Sequence, residues 1–106
     1  MDESLENYHA VASMSDLEDR VPYPVDVGAE EIALVLMDDN VYAISNVCTH
    51  EYACLSDGYI EEDRIVCPLH LAEFSVTTGE VIEEPAEEDL QTYSVKVVDD
   101  QVYVKV

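Results

Sequence analysis

The pattern that most constrains the fold of this chain is a pair of short segments, each holding a cysteine and a histidine. The segments are Cys48-Thr49-His50 and Cys67-Pro68-Leu69-His70, and 16 residues lie between His50 and Cys67. Two thiolates and two imidazoles from neighbouring loops form a four-ligand metal site. A single zinc ion held this way has no open position and is structural, whereas a binuclear iron–sulfur cluster takes two cysteines on one iron and two histidines on the other.

Both segments and their spacing resemble the Rieske 2Fe–2S pattern, Cys-X-His followed by Cys-X-X-His. The chain is similar above all to the small ferredoxins of bacterial aromatic-ring-hydroxylating dioxygenase systems, and the similarity covers well over half of it. Residues 55–59, Leu-Ser-Asp-Gly-Tyr, also read like the cluster loops of these ferredoxins. The resemblance implies one Rieske 2Fe–2S cluster, with Cys48 and Cys67 on the buried iron and His50 and His70 on the outer iron.

The family resemblance also implies a fold. Rieske proteins are all-β, with an antiparallel β-sandwich base that carries a small inserted cluster-binding subdomain. We expect one domain over residues 1–106, because a chain of this length supports a single modest core. The cluster-binding subdomain is predicted at approximately residues 46–85.

The chain departs from the high-potential members of the family beside the ligands. Those proteins carry a disulfide between the two loops. Here Ala53 and Leu69 occupy the two cysteine positions of that disulfide, and Cys54 comes one residue after the first of them. Those proteins also carry a serine and a tyrosine that donate hydrogen bonds to sulfur, where this chain has Ala72 and Phe74. Fewer such hydrogen bonds lower the reduction potential, so we expect a value of about −150 mV, the low end of the Rieske range.

The rest of the sequence predicts short strands and tight turns. Val21 to Val27 alternates apolar and polar residues, but Pro22 and Pro24 restrict it to a sheet edge. The continuous apolar run from Ile32 to Met37 is typical of a buried strand. The other expected strands are Tyr8–Ala12, Val41–Ile44, Tyr59–Glu61, Arg64–Cys67, Phe74–Val76, Val95–Val98 and Val102–Val106, with a short helical turn at Ser15–Glu18.

The charge of the chain is extreme, with 25 acidic and 4 basic residues and a net charge of −21. This charge excludes nucleic acid as a partner and disfavours anionic membrane surfaces, since phosphates require the opposite sign. Two interpretations stay open. The acidity steers an electron carrier onto basic patches of its partners, or it reflects adaptation to a high-salt habitat.

Several features predict a cytoplasmic protein. The N-terminus is acidic and precedes no apolar run, and no stretch approaches the roughly 20 apolar residues that span a membrane. Cys54 has no disulfide partner once the other two cysteines bind iron, and it is either a packing residue or a redox-active thiol. Three glycines offer no phosphate-binding loop, so nucleotide or flavin binding is unsupported.

The predicted function is that of a soluble, low-potential one-electron carrier. It takes an electron from a ferredoxin reductase and passes it to the Rieske centre of a terminal ring-hydroxylating oxygenase, meeting both partners transiently as a monomer. It is not an enzyme itself, because the candidate histidines, His50 and His70, are taken by iron and no Ser–His–Asp set is suggested. Two alternatives stay open: the small Rieske subunit of an assimilatory nitrite reductase, and a structural zinc-binding interaction domain.

Overall fold

The computed structural model of this protein describes residues 5–48, 53–68, 72–83 and 88–106. These residues form ten β-strands and two short 3-10 helices, at Met14–Asp16 and Leu55–Asp57. The strands are β1 (Tyr8–Ser13), β2 (Tyr23–Val27), β3 (Glu30–Met37), β4 (Asn40–Ser45), β5 (Tyr59–Glu61), β6 (Arg64–Val66), β7 (Glu73–Ser75), β8 (Val81–Glu83), β9 (Thr92–Val98) and β10 (Gln101–Lys105). The predicted all-β class is confirmed.

Six strands form the base of the molecule as one antiparallel sheet in the order β1-β10-β9-β4-β3-β2. The sheet curls until its two edge strands, β1 and β2, approach each other. Its inner face thus surrounds an apolar core. The buried members of this core are Leu17, Ile32, Leu34, Ala43, Val102 and Val104.

The remaining four strands form a second antiparallel sheet, in the order β5-β6-β7-β8. All four lie in the chain between β4 and β9, so the small sheet is an insertion into the base. A second core joins the two sheets and contains residues of both. Its buried members are Ala33, Val35, Met37, Ile44, Cys48, Leu55, Ile65, Cys67, Ala72, Phe74, Val76 and Leu90.

Strand β3 explains the continuous apolar run in the sequence. Side chains alternate across a strand, so Ile32 and Leu34 point into the base core while Ala33 and Val35 point into the second core. All four side chains are fully buried. A strand covered on both faces shows no polar alternation, and the prediction of a buried strand is confirmed.

Three two-residue hairpin turns carry acidic residues at both central positions: Asp38-Asp39, Glu62-Asp63 and Asp99-Asp100. In the two Asp-Asp turns, all four aspartates have a positive backbone φ, between 51° and 69°. Positive φ at both central positions matches the right-handed twist of the flanking strands, and aspartate tolerates it. The tolerance of aspartate for positive φ therefore explains both Asp-Asp turns.

These three acidic turns lie at the end of the molecule remote from the cysteines. Strand β4 runs from its turn toward Cys48, and β6 runs from its turn toward Cys67. Strand β9 is antiparallel to β4, so its closing turn lies at the same remote end. Arg20 is a basic residue among these acids: its Nη1 lies 2.7 Å from Asp19 and its Nη2 lies 3.4 Å from Asp38.

Arg20 also connects the base to the inserted sheet, because its Nε donates to the backbone carbonyl of Glu62 at 3.3 Å. The hydrogen bond to Asp19, together with the charges of Asp19 and Asp38, holds the pKa of Arg20 above its usual value. The guanidinium therefore stays charged throughout the range in which these carboxylates are ionised. It ties three separate segments together at the remote end.

Two local predictions need correction. The expected helical turn at Ser15–Glu18 lies at Met14–Asp16 instead, because the backbone N–H of Ser13 is held by the Asp16 carboxylate at 3.0 Å. Strand β8 (Val81–Glu83) was not predicted. The restriction of β2 to an edge by its prolines is confirmed.

Candidate metal centre

The first cysteine of the predicted site lies at the top of a short antiparallel stem. Cys48 donates its backbone N–H to the carbonyl of Ala53 at 3.0 Å. One step below, Val47 pairs with Cys54, and the N–H of Leu55 reaches the carbonyl of Asn46 at 2.8 Å. The stem thus closes a loop of four residues, 49–52.

The second cysteine lies on a stem of the same construction. Cys67 donates its backbone N–H to the carbonyl of Ala72 at 2.7 Å. One step below, Val66 pairs with Glu73 in the ladder between β6 and β7. This stem also closes a loop of four residues, 68–71. In each loop a cysteine begins the turn and an alanine ends it.

Both cysteines are buried in the same core. Cys48 is 3% exposed and Cys67 is fully buried, and both belong to the cluster that joins the two sheets. None of the three cysteines forms a disulfide. Two buried cysteines at the tips of matching stems fit the cysteine half of a 2Fe–2S site, because a bound iron would offset the cost of burying thiolates there.

The predicted histidine ligands, His50 and His70, lie outside the described residues, as does Leu69. Within the described ranges, no three side chains of histidine, cysteine, aspartate or glutamate come together as a metal site. The four-residue ligand set of Cys48, His50, Cys67 and His70 therefore stays a prediction. Its two cysteines are placed in one core, as the prediction requires.

The two side chains that replace hydrogen-bonding residues of high-potential centres are both fully buried. Ala72 and Phe74 belong to the same core cluster as Cys48 and Cys67. Ala72 ends the second ligand loop, and Phe74 pairs with Ile65 in the β6–β7 ladder. Neither of these two side chains offers a hydroxyl donor to the buried cysteines.

Cys54 occupies a different environment from the other two cysteines. It is half-buried, and it precedes the 3-10 helix Leu55–Asp57. Its backbone pairs with Val47 in the first stem, and its carbonyl accepts the N–H of Asp57 at 3.0 Å. The backbone of Cys54 is therefore part of the loop support, which gives this position a structural role independent of thiol chemistry.

Sequence reasoning missed the role of Asn46 and the close approach of Gly58 to the inserted sheet. Asn46 is the single polar or charged residue that is buried in the described part of the chain, and its amide binds Ser56. Gly58 ends the 3-10 helix, and a Cβ on it would collide with the carbonyl oxygen of Val66. The sequence signal for Asn46 was its position, because it is a polar residue between the strand β4 and the ligand segment that begins at Cys48.

Comparisons with known proteins agree with the geometry. A family described as the Rieske [2Fe-2S] domain matches residues 7–94. The ferredoxin component of naphthalene 1,2-dioxygenase/salicylate 5-hydroxylase systems from Ralstonia sp is 37% identical over 100 residues, covering 94% of this chain and 96% of the relative.

Solved structures show the same similarity. The ferredoxin of carbazole 1,9a-dioxygenase from Nocardioides aromaticivorans IC177 superposes with a TM-score of 0.90 at 36% identity, covering 93% of this chain and 97% of that one. A chain from the complex of reduced oxygenase and oxidized ferredoxin in carbazole 1,9a-dioxygenase gives 0.88 at 34% identity, covering 93% of each chain.

Proposed function

The chain belongs to the Rieske [2Fe-2S] domain family, and we propose on this basis that it carries single electrons to the Rieske centre of a terminal ring-hydroxylating oxygenase. The observation that carries the proposal is the pair of matching stems, which present Cys48 and Cys67 from one buried core. With His50 and His70 these residues would hold one 2Fe–2S cluster, which supplies a one-electron couple when bound. The protein is an electron-transfer component rather than an enzyme.

The proposed route has a donor and an acceptor. A related ferredoxin is known in complex with its oxygenase, which supports an oxygenase as the acceptor. We propose a ferredoxin reductase as the donor, transient contact with both partners, and a monomeric chain of one domain. Three cysteines without a disulfide suit the reducing cytoplasm. Within the described ranges, no helix has the length and apolar character to cross a bilayer.

The direct test is a reconstitution with purified components. The carrier is reduced chemically and mixed with a ring-hydroxylating oxygenase of the naphthalene or carbazole type, and reoxidation is followed by visible absorption. We expect electron transfer at the rate of catalytic turnover. A carrier that instead copurifies stably with a sirohaem-containing large subunit, and does not reduce any oxygenase, supports the nitrite reductase alternative and contradicts this proposal.

The reduction potential provides a prediction for the Ala72→Ser variant. A new hydroxyl beside the ligand loop donates a hydrogen bond that favours the more negative, reduced state. Hydrogen bonds to charged acceptors contribute about 1.5 kcal/mol, and about 59 mV corresponds to a tenfold change for one electron. We expect the potential, measured by redox titration, to rise by roughly 60 mV from about −150 mV.

A matched control separates this effect from general core disturbance. Val76→Thr adds a hydroxyl of similar size to the same buried core, beyond β7 and away from the ligand loop. We expect this variant to lose stability without a change in potential. A wild-type potential above zero would contradict the low-potential assignment. Equal shifts in both variants would contradict the explanation by a hydrogen bond beside the ligand loop.

The remote acidic turns allow the two interpretations of the acidity to be separated. The variant Asp39→Asn/Asp99→Asn/Asp100→Asn removes three charges far from the cysteines and leaves the ion pair of Arg20 with Asp38 intact, and asparagine keeps the positive φ. Less repulsion between like charges should raise the free energy of unfolding at low salt by about 1 kcal/mol, and by less at 1 M KCl. Chemical denaturation at both salt concentrations measures the difference.

The same variant also tests steering. If the remote charges serve folding in high salt, the rate of electron transfer to the oxygenase stays unchanged while low-salt stability rises. A rate that falls several-fold at low salt, with stability unchanged, assigns the remote charges to partner attraction instead.

A further inference from the structure

Asn46 lies where three segments meet at the base of the first ligand loop. Its backbone N–H donates to the carbonyl of Glu31 at 2.8 Å, and its carbonyl accepts the N–H of Leu55 at 2.8 Å. Its side-chain Oδ1 accepts the N–H of Ser56 at 2.7 Å, and its Nδ2 reaches the Ser56 hydroxyl at 3.1 Å. One residue thus connects the end of the base sheet to both sides of the stem.

Burial raises the free-energy cost of losing these side-chain hydrogen bonds. Asn46 is 4% exposed, so its amide has no access to water if the bonds to Ser56 are lost. An unsatisfied buried amide is costly, and this cost forces the stem to close with Ser56 in register. Because Asn46 is only two residues before Cys48, its position fixes where that cysteine enters the loop.

The two stems differ in their need for such support. The second stem continues into the regular ladder of β6 and β7, where Arg64, Ile65 and Val66 pair with three residues of the opposite strand. The first stem has a single isolated bridge, Val47 to Cys54, and then turns into a 3-10 helix. The Asn46–Ser56 pair adds the connection that a longer strand ladder supplies in the second stem.

We propose that Asn46 is a positioning residue that fixes the first stem, and with it Cys48, in place of a regular strand ladder. The inference rests on the proposed function, because it gives that function's first cysteine its support. Asparagine suits this role since one side chain both accepts from a backbone N–H and bonds a hydroxyl, without placing a charge in the core.

The test compares Asn46→Ala with wild type in the cluster-loaded protein. We expect iron loss to a chelator, followed by the decay of visible absorption, to become at least tenfold faster. We also expect hydrogen exchange, read by mass spectrometry, to quicken in residues 46–56 and to stay unchanged in residues 65–74. The second stem is the internal reference for the first, because the backbone N–H of Cys67 donates a hydrogen bond equivalent to that of Cys48.

Two further variants complete the design. Asn46→Asp keeps an acceptor for the Ser56 N–H, and the Ser56 hydroxyl can turn to donate to the second oxygen. Because the carboxylate also places a charge in this buried site, we expect exchange in residues 46–56 and iron loss at rates between those of Asn46→Ala and wild type. Ser75→Ala is the matched control, because it deletes a hydroxyl that accepts a backbone N–H from Thr78 in the turn after β7, outside the first stem. We expect its iron loss to match wild type.

The outcomes distinguish this inference from the proposed function. If wild type binds no red-brown cluster, the proposed function fails. If wild type binds the cluster but Asn46→Ala loses iron at the wild-type rate, or exchange quickens equally in both stems, the positioning role is wrong. Should Asn46→Ala not fold, Ser56→Ala takes its place, since it removes only the hydroxyl bond; unchanged exchange in residues 46–56 then overturns the inference.

Discussion

Replacing Cys67 by serine is expected to give a colourless protein that binds no iron–sulfur cluster, and Cys48→Ser is expected to do the same. Both thiols are buried in the core between the two sheets, and Cys54, the remaining thiol of the chain, is not a member of this core. A serine hydroxyl stays protonated near neutral pH and is a poor ligand for iron in such a cluster. Visible absorption and iron content of the purified variants measure the loss.

Cys54→Ser is the matched control within the same chain. This thiol is half-buried, and its position contributes backbone pairing to the first stem. The variant is therefore expected to keep its colour and its iron content. It should also keep the rhombic electron paramagnetic resonance signal of the reduced cluster. A colourless wild type that contains zinc would support a structural zinc domain, and loss of the cluster in Cys54→Ser would contradict the assignment of the two ligand cysteines.

The melting temperature should depend on whether the cluster is bound. A small domain whose ligand loops are closed by a bound metal group loses stability when the group cannot bind. We therefore expect the Cys48→Ser and Cys67→Ser proteins to melt well below wild type, and Cys54→Ser to melt close to it.

The second large effect is expected for Gly58→Ala. A methyl group at this position would collide with the carbonyl oxygen of Val66, which belongs to a strand directly below the second ligand loop. The contact is with backbone, so no side chain can move aside to relieve it. We expect a loss of about 3 kcal/mol or more in the free energy of unfolding, measured by chemical denaturation, together with weaker cluster binding.

Gly28→Ala provides the comparison. Gly28 lies in the turn between β2 and β3 with a positive φ of 60°, and a Cβ there would meet no atom within 4 Å. The cost is then only that of a left-handed conformation, about 1 kcal/mol. Equal destabilisation by both substitutions would show that backbone conformation, and not the collision with Val66, decides the effect at Gly58.

The sequence predicted the base of this fold well because local chemistry determines it. Pro22 and Pro24 remove backbone donors and thereby restrict β2 to an edge, and the unbroken apolar run of β3 requires cover on both faces. The Asp-Asp turns carry their own conformational preference. In each case the pattern of a few neighbouring residues reflects the physical cause.

The support of the candidate site was not predictable in the same way. The bond between Asn46 and Ser56 joins residues ten positions apart, and the close approach of Gly58 to Val66 appears only after the small sheet has formed. Neither contact leaves a periodic signal in the sequence. The ligand cysteines were recognised from their spacing, and the matching stems that hold them are a property of the folded chain.

The sharing of β3 between two cores has a consequence for how this protein unfolds. Its alternate side chains belong to the base core and to the core around the cysteines, so neither core can open while the other stays intact. We therefore expect one cooperative transition, in which the base sheet and the inserted sheet melt together. Cluster binding at one end should then protect slowly exchanging amides throughout β3, including those that face the opposite core.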